Sequence, residues 1–219
     1  YTSTPLTGGS GTWIAGLGNW TQPDGSNSAA WVGSVGYFQG NTAGTVTVVG
    51  SLGFDRLVFS AQEYHLIAGT GGVLQMSPRL HTIGEIDVDT VTATIAVDIT
   101  DGMNRAPVPA AVNSLTKGGT GTLVFVGNKT YTGDPTVSGG TLQLGDGTTN
   151  STILAGITIA SGATLAVNQA ASQPALSFSN VLTATLNNAN PAIFHVMGAG
   201  QLDFSSNSNT FLGQTNVTA

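Results

Sequence analysis

The string Ser138-Gly139-Gly140-Thr141-Leu142-Gln143-Leu144 returns as Ser161-Gly162-Ala163-Thr164-Leu165-Ala166-Val167, displaced by 23 positions. Each copy is a tight glycine turn followed by a strand of alternating apolar residues. One such unit cannot bury its apolar face alone, so the units must stack, and a period of twenty-odd residues is that of a solenoid coil. Side chains at i and i+2 of a strand share a face. The pairs Val46/Val48, Leu57/Phe59, Leu123/Phe125, Leu142/Leu144, Ile157/Ile159, Leu165/Val167, Leu176/Phe178 and Leu202/Phe204 are therefore expected to point inward and form a narrow apolar core.

With 31 glycines, only 7% charged residues and apolar residues seldom spaced by three or four, no stretch reads as an amphipathic helix. An all-β chain without disulfides is expected, since there is no cysteine. At about 22 residues per coil and about 4.8 Å per rung, the chain would supply roughly ten rungs and a rod on the order of 45–50 Å. Segment 1–40 holds Trp13, Trp20, Trp31, Tyr37 and Phe38 and is expected to form aromatic-rich first rungs or a cap, with 41–219 a continuous solenoid. Asn104 to Asn113 and Asn187 to Pro191 read as loops leaving the rod.

Eleven acidic against five basic residues give a formal net charge of −6, and Arg56, Arg79, Arg105, Lys117 and Lys129 are scattered singly. Neutralising a phosphate backbone takes clustered cations, so no nucleic acid partner is expected. No apolar run is long enough to span a bilayer, and no signal pattern opens the chain. A cytosolic protein or a processed piece of an exported one is expected. The second alternative is favoured because Gly198, Gly200, Leu202, Phe204, Asn207, Phe211, Gly213 and Val217 repeat the order of Gly119, Gly121, Leu123, Phe125, Asn128, Tyr131, Gly133 and Val137. This second copy, at 198–217, reads as truncated.

Residues Leu115 to Leu144 closely resemble the passenger-associated transport repeat, also called the autotransporter-associated β-strand repeat. Lys117, Gly119, Gly121, Leu123, Asn128, Tyr131, Gly133, Gly140 and Leu142 fall in its order and spacing. Asn19-Trp20, Trp31, Phe38, the run Gly44 to Val48, Leu57, Phe59, Tyr64 and Gly69 resemble the usual upstream partner of such repeats. Asp134-Pro135 departs from the small polar residues more usual before the Thr-Val strand. The resemblance implies a right-handed parallel β-helix from a Gram-negative bacterium, displayed at the cell surface or secreted. It also implies a signal peptide and an outer-membrane barrel in the full protein.

Glu85, Asp87 and Asp89 alternate with Ile86 and Val88 and would share one outward face with no Arg or Lys adjoining them, spaced roughly 7 Å apart, within the range for an inverting pair or a loose divalent-cation site. Asp98 and Asp101 lie near them in sequence. The expected role of this constellation is a solvated strand face, and the alternative is paired acid–base work in a polysaccharide-active enzyme. His65, His81 and His195 share no metal-ligand spacing and read as structural. The glycine strings Gly69 to Gly72 and Gly118 to Gly121 precede strands and read as turns, not phosphate cradles, so no cofactor is indicated. The Trp cluster is expected to close the first rungs, with sugar stacking as its alternative. The function expected is a rigid, non-enzymatic passenger rod in adhesion, aggregation or presentation of another domain. Its expected partners are a glycan, a matrix protein, a host receptor or a second rod. A secreted effector that binds a host receptor is a further alternative.

Overall fold

The computed structural model describes residues 8–21, 28–33, 35–61, 63–76, 83–102, 114–179, 181–184, 187–206 and 208–218. The chain visits three faces in a fixed order and then repeats the circuit one rung further on. The first face is an eight-stranded parallel sheet of Val35–Phe38, Arg56–Phe59, Ile83–Val88, Ser114–Gly118, Thr136–Val137, Ile157–Ile159, Leu182–Ala184 and Thr210–Phe211. The second is a nine-stranded parallel sheet of Gly11–Ile14, Thr45–Val49, Tyr64–Ala68, Thr92–Ile95, Thr122–Phe125, Thr141–Leu144, Thr164–Asn168, Ile193–Met197 and Gln214–Val217. The third is broken into Ser51–Phe54, Val73–Met76 and Asp98–Asp101, then Gly127–Lys129 with Ser151–Ile153, then Leu176–Phe178 with Leu202–Phe204. This is a parallel β-helix, all-β over the described residues, and its nine-strand depth is close to the roughly ten rungs expected.

Register shows why the repeat is legible. Thr141, Leu142, Gln143 and Leu144 pair directly with Thr164, Leu165, Ala166 and Val167, so the 23-position displacement is one coil. Other coils differ in length because their turns do: Thr122 reaches Thr141 after 19 positions, whereas Thr92 reaches Thr122 after 30. Strands keep the stacking address while the corners absorb insertions.

Inward columns form the core. On the second face Leu66, Ile95, Phe125, Leu144, Val167 and Val196 stack in one column. Ala93, Leu123, Leu142, Leu165 and Phe194 stack beside it. All but Val196 are buried. At one end of the nine-stranded sheet Trp13 is 1% exposed and packs edge-on against Trp20 and Trp31, with centroids 5.1 and 4.8 Å away. Phe38 stacks flat on Phe59 of the next rung, 4.5 Å between centroids. The antiparallel pair Trp20–Thr21 and Ser28–Ala29 carries this aromatic cluster over the first rungs.

Most of the expected inward pairs are buried, but Leu176 and Leu202 are only partly so, and Phe204 is 44% exposed. Leu202–Phe204 ends its sheet among the described residues, so it lacks a strand on one side. There Leu182, Phe194, Leu202, Phe204 and Phe211 help line an open cavity of about 560 Å³. The side chain of Phe178 and the loop Asn104 to Asn113 lie outside the described residues. Asn187 to Pro191 is a turn held on the preceding coil: Asn187 Oδ1 accepts from Ala189 and Asn190 N–H, while Nδ2 donates to Ser161 Oγ at 2.7 Å.

Candidate functional site

Glu85 and Asp87 do share the outward side of the first face, but they are not isolated. Glu85 pairs in register with Arg56 of the preceding coil. The Arg56 guanidinium lies 2.6 Å from Asp87 Oδ2 and 3.5 Å from Glu85 Oε2. The expectation that no cation adjoins these carboxylates fails because one coil of chain, not sequence proximity, brings Arg56 there. Hydrogen bonding to Asp87, reinforced by the two negative charges, raises the Arg56 pKa despite partial burial. Asp89 lies beyond the strand end and is exposed.

Asp98 and Asp101 leave this group for the third face. Asp98 accepts from Thr130 Oγ1 at 3.0 Å and Asp101 from Thr132 Oγ1 at 2.8 Å, tying two coils together. No group of three or more potential metal ligands occurs among the described residues. His65 is exposed, and His195 shares a contact of 2.9 Å with Thr218 Oγ1. They lie five rungs apart on the second face, about 24 Å. His81 and the cations Arg79 and Arg105 lie outside the described residues.

The outward side of the first face continues as a hydroxyl column. Val35, Arg56 and Glu85 are followed in register by Thr116, Thr136, Thr158, Thr183 and Thr210. Its companion column runs Tyr37, Val58, Asp87 and Gly118. Ser138 N–H donates to the Lys117 carbonyl at 2.9 Å, continuing that edge into the next coil. Tyr37 is 51% exposed. The second face bears a further column, Thr92, Thr122, Thr141 and Thr164. Threonine suits both demands here: its branched Cβ favours the strand, and its hydroxyl remains available to solvent.

Two of the scattered cations turn out to be interior. Lys117 stands in an inward column between Ile86 and Val137 and is 1% exposed. Its Nζ donates to the carbonyls of Gly119, Gly121 and Gly139 at 3.0, 2.7 and 2.9 Å. Burial lowers its pKa to about 8, opposed by the charge of Asp87. Lys129 is fully buried, donates to the Val126 carbonyl at 2.8 Å and lies 5.2 Å from the Phe125 ring centroid. Burial lowers its pKa to about 7, opposed by Asp98. The available signal for Lys117 was its phase, two positions after inward Leu115.

Asp134, the departure from the repeat pattern, ties its turn to the following coil by accepting from Gly156 N–H at 2.9 Å. Trp13 is buried and cannot stack on a ligand in this arrangement.

A stack of glycine turns and short parallel strands around a narrow apolar core defines a β-solenoid segment. Residues 115–144 and 197–219 match the family model of the passenger-associated-transport-repeat. The chain is also 30% identical over 230 residues to the Adhesin BmaC autotransporter of Brucella suis biovar 1 (strain 1330). That comparison covers 97% of this chain and 6% of that protein's length. No solved structure matches. The chain is autotransporter passenger sequence bearing passenger-associated transport repeats.

Proposed function

We propose that this segment is part of an adhesive passenger, displayed on or released from a Gram-negative cell, that meets its target through the outward side of the first face. The in-register column Thr116, Thr136, Thr158, Thr183 and Thr210 carries the reading. It repeats one hydroxyl every rung, about 4.8 Å, over about 19 Å. Many weak hydrogen bonds on a rigid support add through proximity, as in any multivalent contact. The partner class it suits is a hydroxyl-rich surface: a glycan or a glycosylated matrix protein. The similarity to a protein named as an adhesin supports the same reading. At the other end of the face, exposed Tyr37 and the Arg56, Glu85, Asp87 group offer a stacking ring and polar anchors.

The test is an array of glycans and extracellular-matrix proteins read for both retention of the chain and release of cleaved product. Retention without cleavage is expected, and the double variant Thr136→Val/Thr158→Val should reduce it while melting within a few degrees of the parent. Cleavage lost in Glu85→Gln/Asp87→Asn/Asp89→Asn would replace adhesion with polysaccharide chemistry. Retention untouched by the threonine variant would remove the first face from the mechanism.

A further inference from the structure

Lys117 belongs to no surface and, among the described residues, to no ion pair. Among the described residues the ion pairs all involve Arg56. A buried ammonium normally requires an anion, since an unpaired charge in the interior is costly. Here the hydrogen-bond partners of the ammonium are backbone carbonyls. Three N–H bonds of the ammonium point to three carbonyls, which is its full donor capacity. Gly119 and Gly121 belong to one glycine turn, and Gly139 to the turn of the following coil. Gly140 completes the enclosure: its φ of +58° is open to glycine, and a Cβ there would run into Lys117 Nζ and the Gly121 carbonyl.

We infer that the two stacked turns form a cation site of three backbone carbonyls, selective for a primary ammonium, and that the Lys117 side chain is its tethered occupant. Convergent carbonyls are the chemistry by which proteins hold desolvated monovalent cations. The site differs from a structural lysine that merely fills space, because its oxygens come from two coils and one ammonium bridges both turns, beside the backbone bond from Thr141 N–H to the Gly121 carbonyl. Its specificity follows from shape. A compact tetrahedral head with three donors fits, whereas the planar fork of an arginine presents its N–H bonds in one plane and cannot meet three oxygens around a point. Asp87, on the outward side beside Gly118, is the charged neighbour that favours the cation from outside.

The experiment uses the whole chain with Lys117→Ala, which removes the tether and leaves the carbonyls. Thermal melting is followed in n-propylammonium chloride and, at equal concentration, in tetramethylammonium chloride, which has the charge but no N–H. The parent in the same two salts corrects for general salt effects. Melting of Lys117→Ala should rise with propylammonium and not with tetramethylammonium. Equal behaviour in the two salts would overturn the site. If Lys117→Ala does not fold in plain buffer, refolding yield in the two salts gives the same comparison. Lys117→Met, nearly the same length without donors, should melt lower than the parent by about 5 °C or more. A Lys117→Met chain melting with the parent would also overturn it.

Discussion

The two copies of the transport repeat carry the same order of side chains on different faces of the rod. In the first copy Leu123 and Phe125 lie in Thr122–Phe125 on the second face, and Val137 lies on the first. In the second copy their counterparts Leu202 and Phe204 lie on the third face, and Val217 on the second. The pattern of a glycine turn followed by an alternating strand thus has no fixed face. It specifies a corner and a rung, and coil length decides which of three similar faces receives it. Burial differs as well. Leu123, Phe125 and Val137 are fully buried, whereas Phe204 is 44% and Val217 72% exposed. Thr122–Phe125 and Thr136–Val137 of the first copy have neighbours on both sides, while the strands of the second end their sheets among the described residues. Burial is a property of the stack and not of the motif.

The largest difference between the copies should come from charges placed on apolar positions of each. Leu142→Asp buries an unpaired carboxylate at a fully buried site and should cost about 3 kcal/mol or more, whereas Val217→Asp should cost less than about 0.5 kcal/mol. Chemical denaturation of the two variants checks this, and equal losses would break the comparison. The turns should behave alike instead. Gly119 and Gly198 have φ of +74° and +88°, and a Cβ at either would meet a backbone carbonyl, of Val88 and Gln169 respectively. Each change to Ala should cost about 1–3 kcal/mol, because the corner is the same in both copies.

A smaller effect separates Lys129 from Ser208, its exposed counterpart in the second copy. Lys129 titrates near 7 in the folded chain because of burial, against about 10.4 when unfolded. A depressed folded pKa means that the unfolded chain binds the extra proton between these values. Stability from this site is complete above the unfolded value and is lost as pH falls through about 7. Lys129→Met should therefore stabilise the chain at pH 6 relative to its effect at pH 10. Ser208→Met should show no such pH dependence in paired melts. The smallest effect lies outside both copies. Arg56→Ala removes a largely exposed ion pair and should cost about 0.5 kcal/mol at low salt and less at high salt.

The fold was legible because its two determinants are local: glycine turns and period-two alternation. The register of Thr141 on Thr164 could be read directly from the displaced string. What the sequence hid depends on coil length. Arg56 meets Asp87 across 31 positions, a distance set by a corner whose length no local pattern announces. Lys117 was hidden differently, since lysine is by type a surface residue and its inward phase ran against that expectation. Of the carboxylate trio, Glu85 and Asp87 share the Arg56 cluster and Asp89 lies beyond the strand end, while Asp98 and Asp101 serve another face.

The shift of the second copy by one face is tested most directly by disulfide trapping, which the absence of native cysteine makes clean. Register neighbours in parallel strands fall within the Cα separation that a disulfide spans, about 4.4–6.8 Å. Ser177→Cys with Asp203→Cys should cross-link readily under mild oxidation, since the two positions pair on the third face. Ala166→Cys with Asp203→Cys should remain reduced. Cross-linking of the second pair and not the first would put both copies on the same face and contradict the stacking described here.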